Sequence, residues 1–346
     1  MDVREIARKL ATGTKGILAA DESSRTITKR FSGVNKESTL ATRSDYRGTL
    51  FTTEGIEQFI SGVILYDETA RLKVDDACCG GKTVIEHLTS LDIVPGIKVD
   101  KGTKPLAKNA RNRNAPKSYQ ITEGLDGLRE RCAEYYEMGL RFTKWRGVID
   151  GLSGIEKPER YSIVANAHAL ARFAAICQDE GLCPIVEPEV LLDNAAHIES
   201  VQETTELVLR IVFDQLYENN VDIRGIILKP NMVMPGYHLR IKCSPDKVAQ
   251  DTLDVLSKTV PPAVPGIAFL SGGQEEIEAT TNLAAINMKG IYPWTLIFSF
   301  GRALQKSAMQ LWAEGNRTEA QKVFLYRAKM NCRAITRCYT SESNVV

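Results

Sequence analysis

The stretch GIILKPNM, residues 225–232, runs through three bulky apolar residues and stops on Lys229, with a proline directly behind it. Ile226, Ile227 and Leu228 are apolar at both parities, so nothing alternates and the run reads as a strand buried on both faces. Pro230 has no N–H and is expected to end the ladder. Lys229 is therefore expected at the carboxyl end of a buried strand, where its charge must be solvated in a cleft or compensated.

The same grammar recurs along the chain. A glycine or proline, a short apolar run and a polar residue appear as GILAADES (16–23), GVILYDET (62–69), PGIKVDKG (95–102), GLRFTKWR (139–146), PIVEPE (184–189), GIILKP (225–230), GIAFLSGG (266–273) and TLIFSFGR (295–302). The polar ends fall at Asp21, Asp67, Lys98, Lys144, Glu187, Lys229, Ser271 and Ser299, with 28 to 46 residues between neighbours, enough for a crossover helix each time. Ile163, Ala167, Leu170, Ala174 and Cys177 form one helical stripe in these gaps; Leu207, Val208, Ile211, Val212 and Leu216 form another. Helical patterns also open the chain at residues 2–10 and close it at 302–335, with Gly315 and Asn316 as a break.

Eight buried strands alternating with helices fit an open doubly wound sheet or a closed (β/α)8 TIM barrel. The barrel is favoured, because eight is its strand count and every run carries its polar residue at the end where a barrel gathers its chemistry. No Gly-, Ser- or Pro-rich linker divides the chain. Residues 1–346 read as a single α/β barrel domain with additional N- and C-terminal helices and a short tail from about residue 340.

Composition sets outer bounds. The chain of 346 residues is 43% hydrophobic and 25% charged, with a formal charge of +1, which gives no global field toward nucleic acid or an anionic membrane. The opening MDVREIARKL carries charges where a signal peptide needs an apolar core, and no apolar run approaches a membrane span, so a cytoplasmic protein is expected. The eight cysteines show no CxxC spacing and read as reduced thiols, Cys78 and Cys79 included.

In a barrel the strand ends meet in one mouth. The inventory there is three carboxylates (Asp21, Glu187, Glu189) and five cations (Lys98, Lys144, Arg146, Lys229, Arg302), an excess of positive charge that suits an anionic substrate. Ser271 and Ser299 stand alongside; the two glycines of SGGQ offer backbone N–H groups to a phosphate, and Gly301 with Arg302 adds a further amide and a guanidinium. Barrels commonly hold phosphate after strands seven and eight.

A nucleophilic lysine must shed its proton, and at an unperturbed pKa of about 10.4 only roughly one part in a thousand is neutral at pH 7. A second cation and partial desolvation favour the amine, and Lys144 is placed to supply the first. The product with a carbonyl substrate is a Schiff base, an electron sink beside which a C–C bond can break or form. Glu187, Glu189 and Asp21 are then candidates for the acid and base steps.

At these residues a resemblance becomes specific. LAADES followed by KR, GIKVDKG, FTKWR, PIVEPE, ILKPNM, FLSGGQ and FSFGRA, in that order over about residues 5 to 340, resemble the class I (Schiff-base) fructose-bisphosphate aldolase family. The resemblance implies a lyase that reversibly cleaves fructose 1,6-bisphosphate to dihydroxyacetone phosphate and glyceraldehyde 3-phosphate, without metal or other cofactor. It implies Lys229 as the Schiff-base lysine and Glu187 as general acid/base in carbinolamine chemistry. Asp21 would help deprotonate the C4 hydroxyl, Lys144 would tune the nucleophile, and Glu189 would be a supporting acid. Ser271, Gly272, Gly301 and Arg302 would grip the C1 phosphate; Ser23, Arg30, Lys98 and Arg146 would surround the sugar chain and C6 phosphate. Family members are usually homotetramers, so a homo-oligomer is expected. A phosphorylated sugar is the expected partner, with no nucleic acid and no membrane.

Two departures stand out. The family generally carries a tail ending in a tyrosine that assists proton exchange at C3, whereas this sequence ends Asn344, Val345, Val346 and its last tyrosine is Tyr339. Cleavage is expected to survive, with enamine protonation slow or served by another group. Thr26 stands where the family more often has serine, and Phe300 where it often has tyrosine.

Other readings weigh less. His87, His168, His197 and His238 fall at no strand end and show no metal-ligand spacing, which disfavours a zinc-dependent aldolase. GGKT at 80–83 lacks the first glycine of a phosphate loop, since Asp76 stands there. The loop 101–117 holds Lys101, Lys104, Lys108, Arg111, Arg113 and Lys117 with no acid; it reads as a solvated loop, or as a surface that steers anionic substrate or docks an acidic partner. The rival functions are a Schiff-base aldolase for another phosphorylated ketose such as fructose 1-phosphate, and a non-catalytic binding scaffold.

Overall fold

The computed structural model of the protein describes residues 1–72, 81–107, 119–152, 156–239, 241 and 243–341. Cys78, Cys79, Asp76, most of the basic loop and the final residues 342–346 lie outside the described residues. The strands are β1 (Gly16–Ala20), β2 (Ile60–Leu65), β3 (Val94–Lys98), β4 (Thr103–Pro105), β5 (Gln120–Thr122), β6 (Phe142–Ile149), β7 (Cys183–Val190), β8 (Ile227–Leu228), β9 (Gly266–Phe269) and β10 (Thr295–Phe300). Eight of them close into a parallel barrel in the order β1-β10-β9-β8-β7-β6-β3-β2, while β4 and β5 form a separate antiparallel pair. All eight apolar runs identified in the sequence are barrel strands, and helices surround them in the (β/α)8 arrangement.

The floor of the barrel is filled by pairing large residues with glycines. A Cβ on Gly16 would stand 2.4 Å from the Phe298 ring, and one on Gly96 would stand 2.3 Å from Phe142. Only hydrogen at these positions lets the aromatic rings close the interior, and such complementary filling is what makes a barrel a packed core instead of a pore.

The helix Val3–Leu10 closes the same end from outside. Asp2 and Glu5 form a reciprocal capping box at its start, and its buried face, Ile6, Ala7 and Leu10, meets the bottom of the barrel. The Ser61 hydroxyl donates to the Leu10 carbonyl at 2.8 Å, tying plug to strand. At the other terminus, Gly315 (φ +90°) separates the helices Arg302–Ala313 and Arg317–Ile335, as the sequence suggested. Both stripes expected on Arg160–Asp179 and Ile198–Glu218 face inward, Leu207 being only partly buried.

Lys229 follows β8 directly. Its own N–H still donates to the Val186 carbonyl at 2.8 Å, and the Pro230 carbonyl accepts from Leu270 at 3.1 Å. Pro230 therefore removes one donor without ending contact with either neighbouring strand. That continuity matters, because it holds the lysine backbone rigid between β7 and β9. No helix among the described residues is long and apolar enough to cross a membrane.

Candidate active site

At the carboxyl ends of the strands lies a cavity of about 510 Å³. Its wall contains Asp21 and Ser23 after β1, Arg30 from the helix Ser24–Ser32, Lys98 from β3, Lys144 and Arg146 from β6, Glu187 and Glu189 from β7, and Lys229. Ser271 and Gly272 after β9, and Gly301 and Arg302 after β10, complete it. All of the site residues expected from the sequence thus meet in one concavity. Alternation in β6 and β7 explains why Lys144 and Arg146, and Glu187 and Glu189, point the same way.

The deepest groups form a charge-alternating chain. Lys229, Glu187 and Lys144 are buried, at 3%, 4% and 4% exposure, so each charge needs a partner nearby. Lys229 Nζ lies 3.1 Å from Glu187 Oε1, Lys144 Nζ lies 3.2 Å from Glu187 Oε2, and Lys144 Nζ lies 2.7 Å from Asp21 Oδ2. The direct cation–cation approach expected from the sequence is replaced by a shared carboxylate: Glu187 stands between the two lysines.

These contacts move the proton equilibria. Burial alone would raise the Asp21 carboxyl, but Lys144 and then Lys229 outweigh it and lower the pKa to about 2. For Glu187, burial is likewise overcome by Lys144, Lys229 and Arg146, so its pKa is lowered. For Lys144, burial opposes the charge, yet Asp21, Glu187 and Asp100 hold the ammonium above its ordinary value. Asp21, Glu187 and Lys144 are therefore all ionised in the resting site, in mutual contact.

A second tier of pairs surrounds this centre. Arg146 is salt-bridged to Glu189, and Arg30 to Glu22. Lys98 Nζ lies 2.7 Å from Asp100 Oδ1 and donates to the Asp100 carbonyl at 2.8 Å. Ser23 and Thr26 share a hydroxyl contact of 3.1 Å, so threonine keeps a hydroxyl on the rim where the family more often has serine. Seven cations, Lys29 included, face four carboxylates around the wall, which leaves the mouth net positive. The Ser299 hydroxyl, buried in the wall, has no hydrogen-bond partner among the described residues.

Several groups depart from the sequence reading. Asp67, at the end of β2, does not line the cavity; it starts the helix Asp67–Ala70 and is held by Arg71 at 3.0 Å and the Tyr135 hydroxyl at 2.9 Å. Of the two glycine amides of SGGQ, Gly273 N–H is already donated to the Tyr237 hydroxyl at 2.7 Å, so among the described residues Gly272 N–H is the one left for a ligand. Asp100 was not singled out from the sequence, although it is buried and serves Lys98. Its position two residues beyond Lys98 was the available signal. Tyr339 is buried, its hydroxyl 3.4 Å from Thr281 Oγ1, and is not part of the cavity wall.

The histidines lie elsewhere: His87 bonds the Phe51 carbonyl, His168 the Gln215 side chain, and His238 Asp193, and none, His197 included, lines the cavity. Among the described residues no group of three or more His, Cys, Asp or Glu is arranged to hold a metal ion.

Comparison with known proteins agrees with this geometry. The family model described as fructose-bisphosphate aldolase class-I matches residues 2–345. The chain is 46% identical over 342 residues to "Fructose-bisphosphate aldolase 4, cytosolic" of Arabidopsis thaliana, covering 98% of this chain and 84% of that one. It is 45% identical over 341 residues to the fructose-bisphosphate aldolase of Dictyostelium discoideum, covering 98% and 92%. Among solved structures, the Plasmodium falciparum aldolase in a ternary complex with TRAP and a small-molecule inhibitor superposes with a TM-score of 0.91 at 44% identity, over 98% of this chain and 95% of the other. The protein belongs to the class I fructose-bisphosphate aldolase family and is a lyase.

Proposed function

We propose that the protein reversibly cleaves fructose 1,6-bisphosphate to dihydroxyacetone phosphate and glyceraldehyde 3-phosphate through a Schiff base on Lys229. The observation that carries this reading is Glu187 within 3.1 Å of Lys229 and 3.2 Å of Lys144. Condensation requires Lys229 as the free amine, and Glu187 is the carboxylate nearest to accept its proton. Protonated Glu187 can then return a proton to the departing carbinolamine hydroxyl as water leaves. Lys144, kept cationic by Asp21, holds the site's charge constant while this happens.

Asp21 is the group proposed to take the C4 hydroxyl proton. Loss of that proton pushes the C3–C4 bonding pair into the protonated Schiff base, which releases the aldehyde and leaves an enamine. Glu189 holds Arg146 in place. Ser271, Gly272, Gly301 and Arg302 are proposed to bind the C1 phosphate, through a hydroxyl, backbone amides and a guanidinium. Ser23, Arg30, Lys98 and Arg146 are proposed to face the sugar chain and the C6 phosphate. The net positive wall supports both assignments, since two phosphates must be drawn in together.

Residues 1–346 are proposed to act as one domain, and the chain to work in the cytosol, a reading supported by the cytosolic Arabidopsis relative. Assembly into homotetramers is proposed from the family resemblance. Borohydride reduction in the presence of dihydroxyacetone phosphate, followed by peptide mass mapping, tests the central claim. An adduct on Lys229 is expected, and full turnover by Lys229→Ala would exclude the mechanism. Light scattering reads the oligomeric state.

A further inference from the structure

The turn after β9 is held by a residue from a different strand end. Tyr237 begins the short helical turn Tyr237–Leu239, beyond β8. Its backbone is clamped to the segment after β7: Gly236 N donates to Ala196 O at 2.9 Å, Tyr237 N to Leu192 O at 2.9 Å, and His238 N to Asn194 O at 2.7 Å. With its main chain fixed in this way, the side chain reaches the SGGQ turn. The ring packs so closely on Gly273 that a Cβ there would stand 2.4 Å from Tyr237 Cε2, and the hydroxyl accepts the Gly273 N–H at 2.7 Å.

The second contact on this turn involves the same peptide group. The Gly272 carbonyl accepts from Arg302 Nη2 at 3.0 Å, so both polar ends of the Gly272–Gly273 peptide are occupied, one by Arg302 and the other by Tyr237. Gly272 is in the left-handed region at φ +56°, and its own N–H has no acceptor among the described residues. A peptide plane gripped at both ends sets the orientation of the amide before it, because only two soft torsions separate them. Arg302, however, is exposed and is itself proposed to bind phosphate. Should Arg302 give up the Gly272 carbonyl to engage an anion, Tyr237 would be the tether that remains.

We propose that Tyr237 is a positioning residue for the phosphate-binding turn Ser271–Gly273, holding the Gly272 amide toward the cavity after Arg302 has engaged the substrate. This inference rests on reading that turn as the C1 phosphate grip. The hydroxyl suits this role, because burial pushes its pKa up to about 12 and it stays a neutral acceptor across the working pH range.

The test uses the full-length protein, with Tyr237→Phe removing a single oxygen and keeping the ring. In the synthetic direction, with glyceraldehyde 3-phosphate as acceptor, KM and kcat are measured for dihydroxyacetone phosphate and for unphosphorylated dihydroxyacetone. Loss of one neutral hydrogen bond is expected to raise KM for dihydroxyacetone phosphate by about three- to ten-fold, with a smaller change in kcat. The penalty on dihydroxyacetone should be at most about a third as large, because that donor has no phosphate to seat. A mere loss of structural integrity would penalise both donors alike, and that result, or an unchanged KM, overturns the proposal. Ser271→Ala separates the underlying reading. If it too leaves discrimination between the donors untouched, the turn does not hold phosphate; if it erodes discrimination while Tyr237→Phe does not, only the role of Tyr237 is wrong.

Discussion

Lys229 Nζ lies 3.1 Å from Oε1 of Glu187, and both groups are almost fully buried. The proposed nucleophile is therefore paired with the carboxylate proposed to free it. On the proposed mechanism, catalysis depends on a carboxylate whose charge is maintained by a second lysine on its far side.

Glu187→Gln keeps the shape and removes the base. kcat for fructose 1,6-bisphosphate cleavage should fall by roughly 10²- to 10⁴-fold, the usual range for a lost general acid/base, with KM changed far less. Steady-state kinetics checks this, and a fall of less than about ten-fold would move the proton-transfer role elsewhere, Glu189 being the next candidate.

The pH response follows from Asp21. Its folded pKa of about 2 lies below the ordinary 3.8, so its pairing stabilises the fold above the unfolded value and is lost as pH falls through the folded one. The contribution at neutral pH is on the order of 2 kcal/mol. The stability gap between wild type and Asp21→Asn, measured by chemical denaturation, should be widest near pH 7 and close as pH drops from about 5 toward about 2. A gap that stays constant over that window would mean the carboxylate is not held by Lys144.

Asp100 locates Lys98 through both a carboxylate oxygen and its own carbonyl, at 2.7 and 2.8 Å. Asp100→Asn keeps the carbonyl contact and drops the charge. KM for fructose 1,6-bisphosphate should rise about three- to ten-fold with a modest effect on kcat, since a charge-assisted bond that orients a lysine proposed to bind substrate is weakened. A loss confined to kcat would place Asp100 closer to the chemistry.

Gly272 must remain glycine. At φ +56° a side chain costs about 1–2 kcal/mol, and a Cβ would stand 3.1 Å from the Tyr237 hydroxyl. Gly272→Ala should raise KM for phosphorylated substrates about ten-fold while the Lys229 adduct still forms at saturating dihydroxyacetone phosphate. Wild-type KM in this variant would contradict the assigned backbone role.

The residues that could be read from the chain alone share one property: their placement follows from local pattern. Apolar runs without alternation become strands buried on both faces, and the first polar residue after each run must leave the core at the same end, which is why Lys98, Lys144, Glu187 and Lys229 were legible as one set. Parity along a strand likewise predicted that Glu187 and Glu189, or Lys144 and Arg146, face the same way. What the chain could not reveal depends on closure of the barrel, which brings residues tens of positions apart into contact. Asp67 satisfies the same local rule as Asp21, yet Arg71 and Tyr135 hold it outside the cavity. Glu187 stands between two lysines only because β7 lies between β6 and β8 in the closed sheet, and Tyr237 meets Gly273 only because the segments after β8 and β9 converge over the mouth. Periodicity and parity are written into neighbouring residues; electrostatic partners and peptide tethers are chosen by distance in space, and that is decided when the sheet closes.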